Sequence, residues 1–103
     1  MFVRFRHVYR RLVINVERTH RVNGRARGFH IARVGSCLLP EPIFAAERLR
    51  FWREVEEKFR NDPRLAGLSS ADRDKALAVI EARVPRPSSA EIALLAQLER
   101  LAA

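Results

Sequence analysis

The sequence predicts an α+β domain, with an N-terminal antiparallel sheet of two or three strands followed by three α-helices. Before residue 40, apolar residues alternate with polar ones, a period of two that is typical of half-buried strands. After residue 42, they recur three or four positions apart, as on amphipathic helices. The 103 residues are 48% hydrophobic, so we expect one folded domain with a basic sheet region at 1–39 and a helical region at 42–103.

A β-hairpin is the strongest local prediction. One strand is predicted over Phe2 to Tyr9, where apolar residues alternate with arginines, and β-branched residues from Leu12 to Val16 predict the next. Asn23-Gly24 predicts a two-residue type I′ turn, because both residues tolerate positive φ. This turn sets the expected cross-strand pairs: Val22 with Arg25, Val16 with Ile31, and Val13 with Val34.

That register divides the hairpin into two faces, neither of them wholly apolar. We therefore expect a packed base and a tip that projects beyond the core. One face carries most of the arginines, whereas Arg21 points to the other. The predicted basic face consists of Arg18, Arg25, Arg27 and Arg33, together with Phe29.

Three helices are predicted after the sheet. Pro42 suits a first helical position, so the first helix is expected from Ile43 to about Arg60. The second is expected from Ser69 or Ser70 up to the "PRP" at 85–87, and a capping box at 88–91 begins the third. In the first helix, Trp52 is expected in the core and Phe51 as a lid over the sheet or part of a partner surface.

The third helix carries a leucine stripe. We expect this stripe to be covered within the molecule, because three short helices and a small sheet leave apolar surface to bury. The alternative is a seam with a second copy or a partner subunit, although the stripe is shorter than a coiled coil requires. The stripe consists of Leu94, Leu95, Leu98 and Leu101.

Charge is distributed very unevenly along the chain. The formal net charge is +8, and residues 1–40 account for all of it, with nine arginines and one acid, Glu17. A codon bias towards arginine would spread arginine evenly and would not remove acids from one region. Such a field favours a polyanionic partner, above all nucleic acid. An acidic protein partner and a merely solvated face are the alternatives.

Several function classes have little support. His7, His20, His30 and Cys37 lack metal-ligand spacing, so we expect no metal, cofactor or small-molecule substrate. The facing Glu17 and His30 fit a cross-strand charge pair better than an acid/base pair, which leaves no support for catalysis. A single cysteine, no apolar run of about 20 residues and an N-terminus that fits a strand predict a cytoplasmic protein without membrane contact.

Short motifs between residues 12 and 60 resemble a known segment. They are Leu12-Val13, Val16-Glu17, Val22-Asn23-Gly24-Arg25, His30-Ile31-Ala32 and Val34-Gly35-Ser36. This run resembles the opening segment of DDE-type insertion-sequence transposases. It is also similar to short, uncharacterised bacterial proteins that continue with a helix bearing a Phe-Trp pair, here Phe51-Trp52.

The resemblance implies contact with DNA. In those transposases the segment precedes the nuclease domain and helps to hold DNA, which implies phosphate contacts at Arg25, Arg27 and Arg33. A chain of 103 residues leaves no room for a nuclease fold, so no catalytic acids carry over. We expect a stand-alone accessory or regulatory protein, or a remnant domain.

Nucleic-acid binding is therefore the leading functional prediction, with DNA favoured over RNA. The predicted basic face makes the main contacts, Arg4 and Arg6 extend it, and Phe29 stacks on a base or holds the guanidinium of Arg18. The competing prediction is a protein-interaction module that forms a homodimer or binds a partner subunit through the leucine stripe.

Overall fold

A computed structural model describes residues 1–40 and 44–102 and confirms the predicted α+β architecture. Three strands form an antiparallel sheet in the order β1-β2-β3, and three helices follow. The strands are β1 (Phe2–Val8), β2 (Arg11–Val22) and β3 (Arg25–Leu38). The helices are α1 (Ala45–Asn61), α2 (Ser70–Arg83) and α3 (Ser89–Ala102), with a short 3₁₀ turn at Pro63–Leu65.

The helix starts follow local capping chemistry. Ser69 accepts a hydrogen bond from the backbone N–H of Asp72 at 3.1 Å. Ser88 and Glu91 form the predicted capping box, since each side chain accepts from the other's backbone N–H, at 3.1 and 3.0 Å. The backbone of Phe44 is extended, so α1 begins at Ala45. The predicted start at Pro42 and Ile43 lies outside the described residues.

The helices cover one side of the sheet. α1 packs on β3 and α2 contacts β1. The contact between α1 and β3 is close at Gly35, where a Cβ would lie 3.0 Å from Val55 Cγ2 and 3.1 Å from Phe51 Cε2. Phe51 and Trp52 are both buried, so Phe51 is a lid over the sheet. None of the helices in residues 44–102 is long and apolar enough to cross a membrane.

The predicted turn is confirmed, but the predicted register fails towards the base of the hairpin. Asn23 and Gly24 have φ of 54° and 75°, and the pairing runs as expected from Val22 with Arg25 as far as Glu17 with His30. Two register shifts follow. Val16 pairs with Ala32 instead of Ile31, and Val13 pairs with Ser36 instead of Val34.

The shifts are β-bulges, at which two successive residues of β3 oppose one residue of β2. The two extra residues are Ile31 and Val34, which pair with no β2 residue. Ala32 and Val34 belong to the hydrophobic core, and Ile31 packs against it. Strict alternation would have turned some of these side chains away from the helices. The bulges keep them on the helix-covered side and increase the buried apolar area.

The expectation that the leucine stripe is intramolecular core is wrong. No residue of α3 within 89–102 is buried, and Leu94, Leu98 and Leu101 are each more than half exposed. The sheet is already covered by α1 and α2, and α3 packs mainly against α1. One of its contacts is an ion pair of 2.6 Å between Arg48 Nη2 and Glu91 Oε2.

Candidate nucleic-acid interface

The outer half of the β2–β3 hairpin projects from the body of the molecule. Residues 12–17 are buried, whereas residues 18–30 are all exposed, as expected for a packed base and a free tip. The molecule is correspondingly elongated, at 60 × 30 × 20 Å. We call residues 18–30 the arm. It carries four arginines, two histidines and no acid.

One side of the arm groups most of the predicted contact residues. Arg18 pairs with Phe29, His20 with Arg27, and Val22 with Arg25, and these pairs alternate along the ribbon. Side chains of alternate pairs lie on the same side of a sheet. The predicted grouping is therefore confirmed for four residues, which we call the arm face: Arg18, Arg25, Arg27 and Phe29.

Phe29 is the aromatic residue of the arm face. Phe29 is 44% exposed, and its ring lies edge-on to the ring of His20, with 5.1 Å between the two centroids. His20 is the diagonal cross-strand neighbour of Phe29. Its contact orients the Phe29 ring and leaves part of that ring accessible. An exposed aromatic ring between guanidinium groups offers an apolar surface to a base or to a thymine methyl group.

Arg33, Arg4 and Arg6 do not belong to the arm face, which corrects the prediction. Arg4 and Arg33 both pair with Asn15, and Arg6 pairs with Val13. These rows lie on the side of the sheet that the helices leave uncovered. For Arg33 the physical reason is the first bulge, because one extra residue reverses the side to which the following residues point. Arg4 and Arg6 are placed on this side by their pairing with Asn15 and Val13 of β2.

Arg11 joins these three arginines on the uncovered side and was missed by the sequence reasoning. Arg11 is the first residue of β2, directly after a two-residue turn, and it pairs with Val8. Counting the alternation of side chains from Val8 would have predicted the side on which Arg11 lies. That turn exposes another missed side chain, Tyr9, which is 99% exposed and has a φ of 55°. We call the group the open-face cluster: Arg4, Arg6, Arg11 and Arg33.

Most arginines of the sheet region have no carboxylate partner. Arg4 Nε lies 3.7 Å from Glu17 Oε2, and Arg11 donates to Ser36 Oγ at 3.0 Å. Within the described part of the chain, the remaining arginines of the strands and turns form no ion pair. These arginines are Arg6, Arg10, Arg18, Arg21, Arg25, Arg27 and Arg33.

This arrangement suits the recognition of phosphate. A guanidinium group presents five N–H donors in a planar fork that matches phosphate oxygens, and it stacks on bases. No group of three His, Cys, Asp or Glu side chains that would hold a metal ion occurs among residues 1–40 and 44–102. The guanidinium groups of both basic surfaces offer charge-assisted hydrogen bonding and stacking.

Comparisons with known proteins add no relative. Family models, curated proteins and solved structures gave no match to this chain.

Proposed function

We propose that this protein binds double-stranded DNA through its arm, as a cytoplasmic, non-catalytic accessory or regulatory protein. The observation that carries the proposal is the arm itself, which has four arginines, no acid and no ion pair to a carboxylate of the described chain. The short motifs between residues 12 and 60 that resemble the opening segment of DDE-type transposases also support it.

The dimensions of the arm suit the major groove. From Arg18 to Val22 the ribbon advances four residues, about 14 Å at about 3.4 Å per residue. The major groove is about 12 Å wide and about 8.5 Å deep and admits a two-stranded β-ribbon, whereas the minor groove is about 6 Å wide. The arm is therefore long enough to reach the groove floor, with the arginines of the arm face at the phosphates and base edges.

A salt titration tests this function. Binding of a fluorescent 20-base-pair duplex is measured by anisotropy from low to physiological salt. For contacts to about four phosphates, log affinity falls with log salt at a slope of about −3.6. Arg25→Gln/Arg27→Gln is expected to make the slope shallower by about 1.8.

The matched control removes the same charge from the helical body. Arg53 and Arg60 are exposed on α1, so Arg53→Gln/Arg60→Gln lowers the net charge equally without touching the arm. Its slope is expected to equal that of the wild type. Failure of the wild type to retain duplex DNA at low salt contradicts the function. Equal slopes for the two double variants contradict the role of the arm.

The exposed stripe on α3 favours one second candidate function, self-association with another copy of the chain. Leu94, Leu98 and Leu101 follow i, i+4, i+7 spacing and are all exposed, which is the pattern of a helix seam. Leu95 lies beside them, half-buried near α1. Sedimentation at micromolar concentration is expected to give a dimer that Leu98→Gln converts to a monomer. A monomeric wild type removes this candidate.

A further inference from the structure

The open-face cluster has a regular geometry set by the pairing of the three strands. Arg4 and Arg33 flank Asn15 in one row across the sheet, and Arg6 lies in the next row. Neighbouring strands are about 4.8 Å apart, and alternate residues of one strand are about 6.7 Å apart. The backbone positions of these three arginines thus fall within about 12 Å of one another.

A buried polar floor lies beneath these arginines. Asn15, Glu17 and Ser36 are 7%, 5% and 4% exposed, and they lie on the same uncovered side of the sheet. Glu17 is close to Arg4, and Ser36 accepts from Arg11. Such contacts orient two guanidinium groups while each keeps further N–H donors for a ligand.

The charge of the open face is largely uncompensated. Glu17 is the only acid in residues 1–40, and of the four cluster arginines it lies close to Arg4. Arg6 and Arg33 pair with no carboxylate within the described ranges. The pKa of Glu47 on α1 is lowered chiefly by the hydrogen bond from Arg50 and in smaller part by the charge of Arg11, so Arg11 is partly balanced. The excess positive charge is therefore concentrated at Arg6 and Arg33.

The sheet also uses a bulge to build this surface. Without the extra residue at Ile31, Arg33 would point to the side that the helices cover. The bulge instead places it opposite Asn15 and in line with Arg4. Bulges commonly re-aim a side chain at a functional site.

We propose that the open-face cluster is a second nucleic-acid surface, distinct from the arm face, which binds the sugar-phosphate backbone. The open face offers arginines in a fixed array and its floor is polar, so it contacts phosphates, whereas the arm enters a groove. This proposal rests on the proposed function. Two separate surfaces imply that their contributions to the salt dependence add.

The test removes the two cluster arginines that have no carboxylate partner. Arg6→Gln/Arg33→Gln is compared with Arg53→Gln/Arg60→Gln, using the same 20-base-pair duplex and salt series. The open-face variant is expected to make the slope shallower by about 1.8, and the control to leave it unchanged. With two open-face contacts added to the four of the arm, the wild-type slope becomes about −5.4, and combining the open-face and arm substitutions is expected to bring it to about −1.8.

A charge-preserving variant separates phosphate contact from damage to the sheet. Arg6→Lys/Arg33→Lys keeps both charges and is expected to retain a slope close to that of the wild type, with weaker binding because the planar fork is lost. If it loses as much slope as the glutamine variant, the cluster acts through structure and the proposal is overturned.

The outcomes also separate this proposal from the function of the arm. If the arm variant loses slope and Arg6→Gln/Arg33→Gln behaves like the control, the second surface is overturned and the proposed function stands. If the open-face variant loses slope and the arm variant does not, the role of the arm is overturned and the open-face cluster stands as the DNA-binding surface. A wild type that binds no duplex overturns both.

Discussion

The arginines of the helical region and those of the sheet region differ in what they contact. In the helical region several of them bind to the protein itself. Arg50 pairs with Glu47 and Glu54 at 2.6 and 3.1 Å, and Arg64 pairs with Asp62 at 2.7 Å. In the arm, no arginine pairs with a carboxylate of the described residues.

These internal pairs of the helical region also change the acidity of their partners. The hydrogen bond from the side chain of Arg64 lowers the pKa of Asp62 to about 2. The hydrogen bond from Arg50 likewise lowers the pKa of Glu47 below its ordinary value. The helical region thus neutralises several of its arginines through its own carboxylates.

The same residue type therefore has two uses in one small protein. A high arginine content alone is no sign of a ligand, because many of the helical arginines hold helices and loops together. The functional indication is arginine that lacks acids nearby in both sequence and space. Substitutions of the paired arginines in the helical region are expected to cost stability, and those of the unpaired arginines in the sheet region to cost binding.

The largest expected effect contrasts two phenylalanines. Phe51→Ala removes a fully buried ring over the sheet and is expected to lower the free energy of unfolding by about 3–5 kcal/mol. Phe29→Ala, in the exposed arm, is expected to cost under about 1 kcal/mol. Urea unfolding followed by Trp52 fluorescence measures both. Equal losses would mean that the arm is part of the cooperative body, and the contrast would fail.

A smaller effect tests the contact between the sheet and α1. Gly35→Ala places a methyl group against Val55 and Phe51 and is expected to destabilise by about 1–3 kcal/mol through overpacking. Gly67 has no neighbour within 4 Å of an added Cβ, so Gly67→Ala is the matched control, with a change within about 0.5 kcal/mol. Similar urea midpoints for both variants would contradict the close packing at Gly35.

A pair of single-arginine variants tests the division of roles directly. The guanidinium of Arg86 lies 3.9 Å from the ring centroid of Trp52 and pairs with Glu56. Arg86→Gln is expected to cost about 1 kcal/mol of stability and to leave the affinity for duplex DNA unchanged. Arg27→Gln is expected to change stability by less than about 0.5 kcal/mol and to weaken binding. The reverse pattern in both assays would refute the division.

Much of the fold was predictable because local sequence decides it. Asn23-Gly24 determines the turn by its φ angles, and the capping box of Ser88 and Glu91 determines the start of α3. The arm face was predictable for the same reason, since its register is counted from the turn over the first six pairs.

The remainder depends on packing that alternation does not encode. Ile31-Ala32 and Val34-Gly35 are consecutive apolar or small residues within a strand, and α1 receives them on one side only by means of the bulges. A strict period of two therefore placed Arg33 on the wrong side. The exposure of α3 was equally hidden, because an amphipathic pattern shows that a helix has an apolar face and not what covers it.

The smallest expected effect concerns acid and the attachment of α3. Hydrogen bonds from the backbone N–H of Ser88 and the side chain of Arg48 lower the pKa of Glu91 below its ordinary value of 4.5. A lowered folded-state pKa means that the ionised carboxylate stabilises the fold above about pH 4.5, and that this contribution disappears as the pH falls through the folded-state pKa.

Glu91→Gln is therefore expected to lower the urea midpoint modestly at pH 7, and its difference from the wild type should shrink as the pH falls below 4.5. Glu99→Gln removes a carboxylate from the same helix that forms no ion pair within residues 1–40 or 44–102. This control should leave the midpoint at pH 7 unchanged. A difference between the wild type and Glu91→Gln that stays constant from pH 7 to pH 3 would show that ionisation of Glu91 does not hold α3 to α1. The ion pair between Arg48 and Glu91 would then add nothing to the stability of the fold. The paired arginines of the helical region would in that case not differ from the unpaired arginines of the sheet region in their contribution to stability.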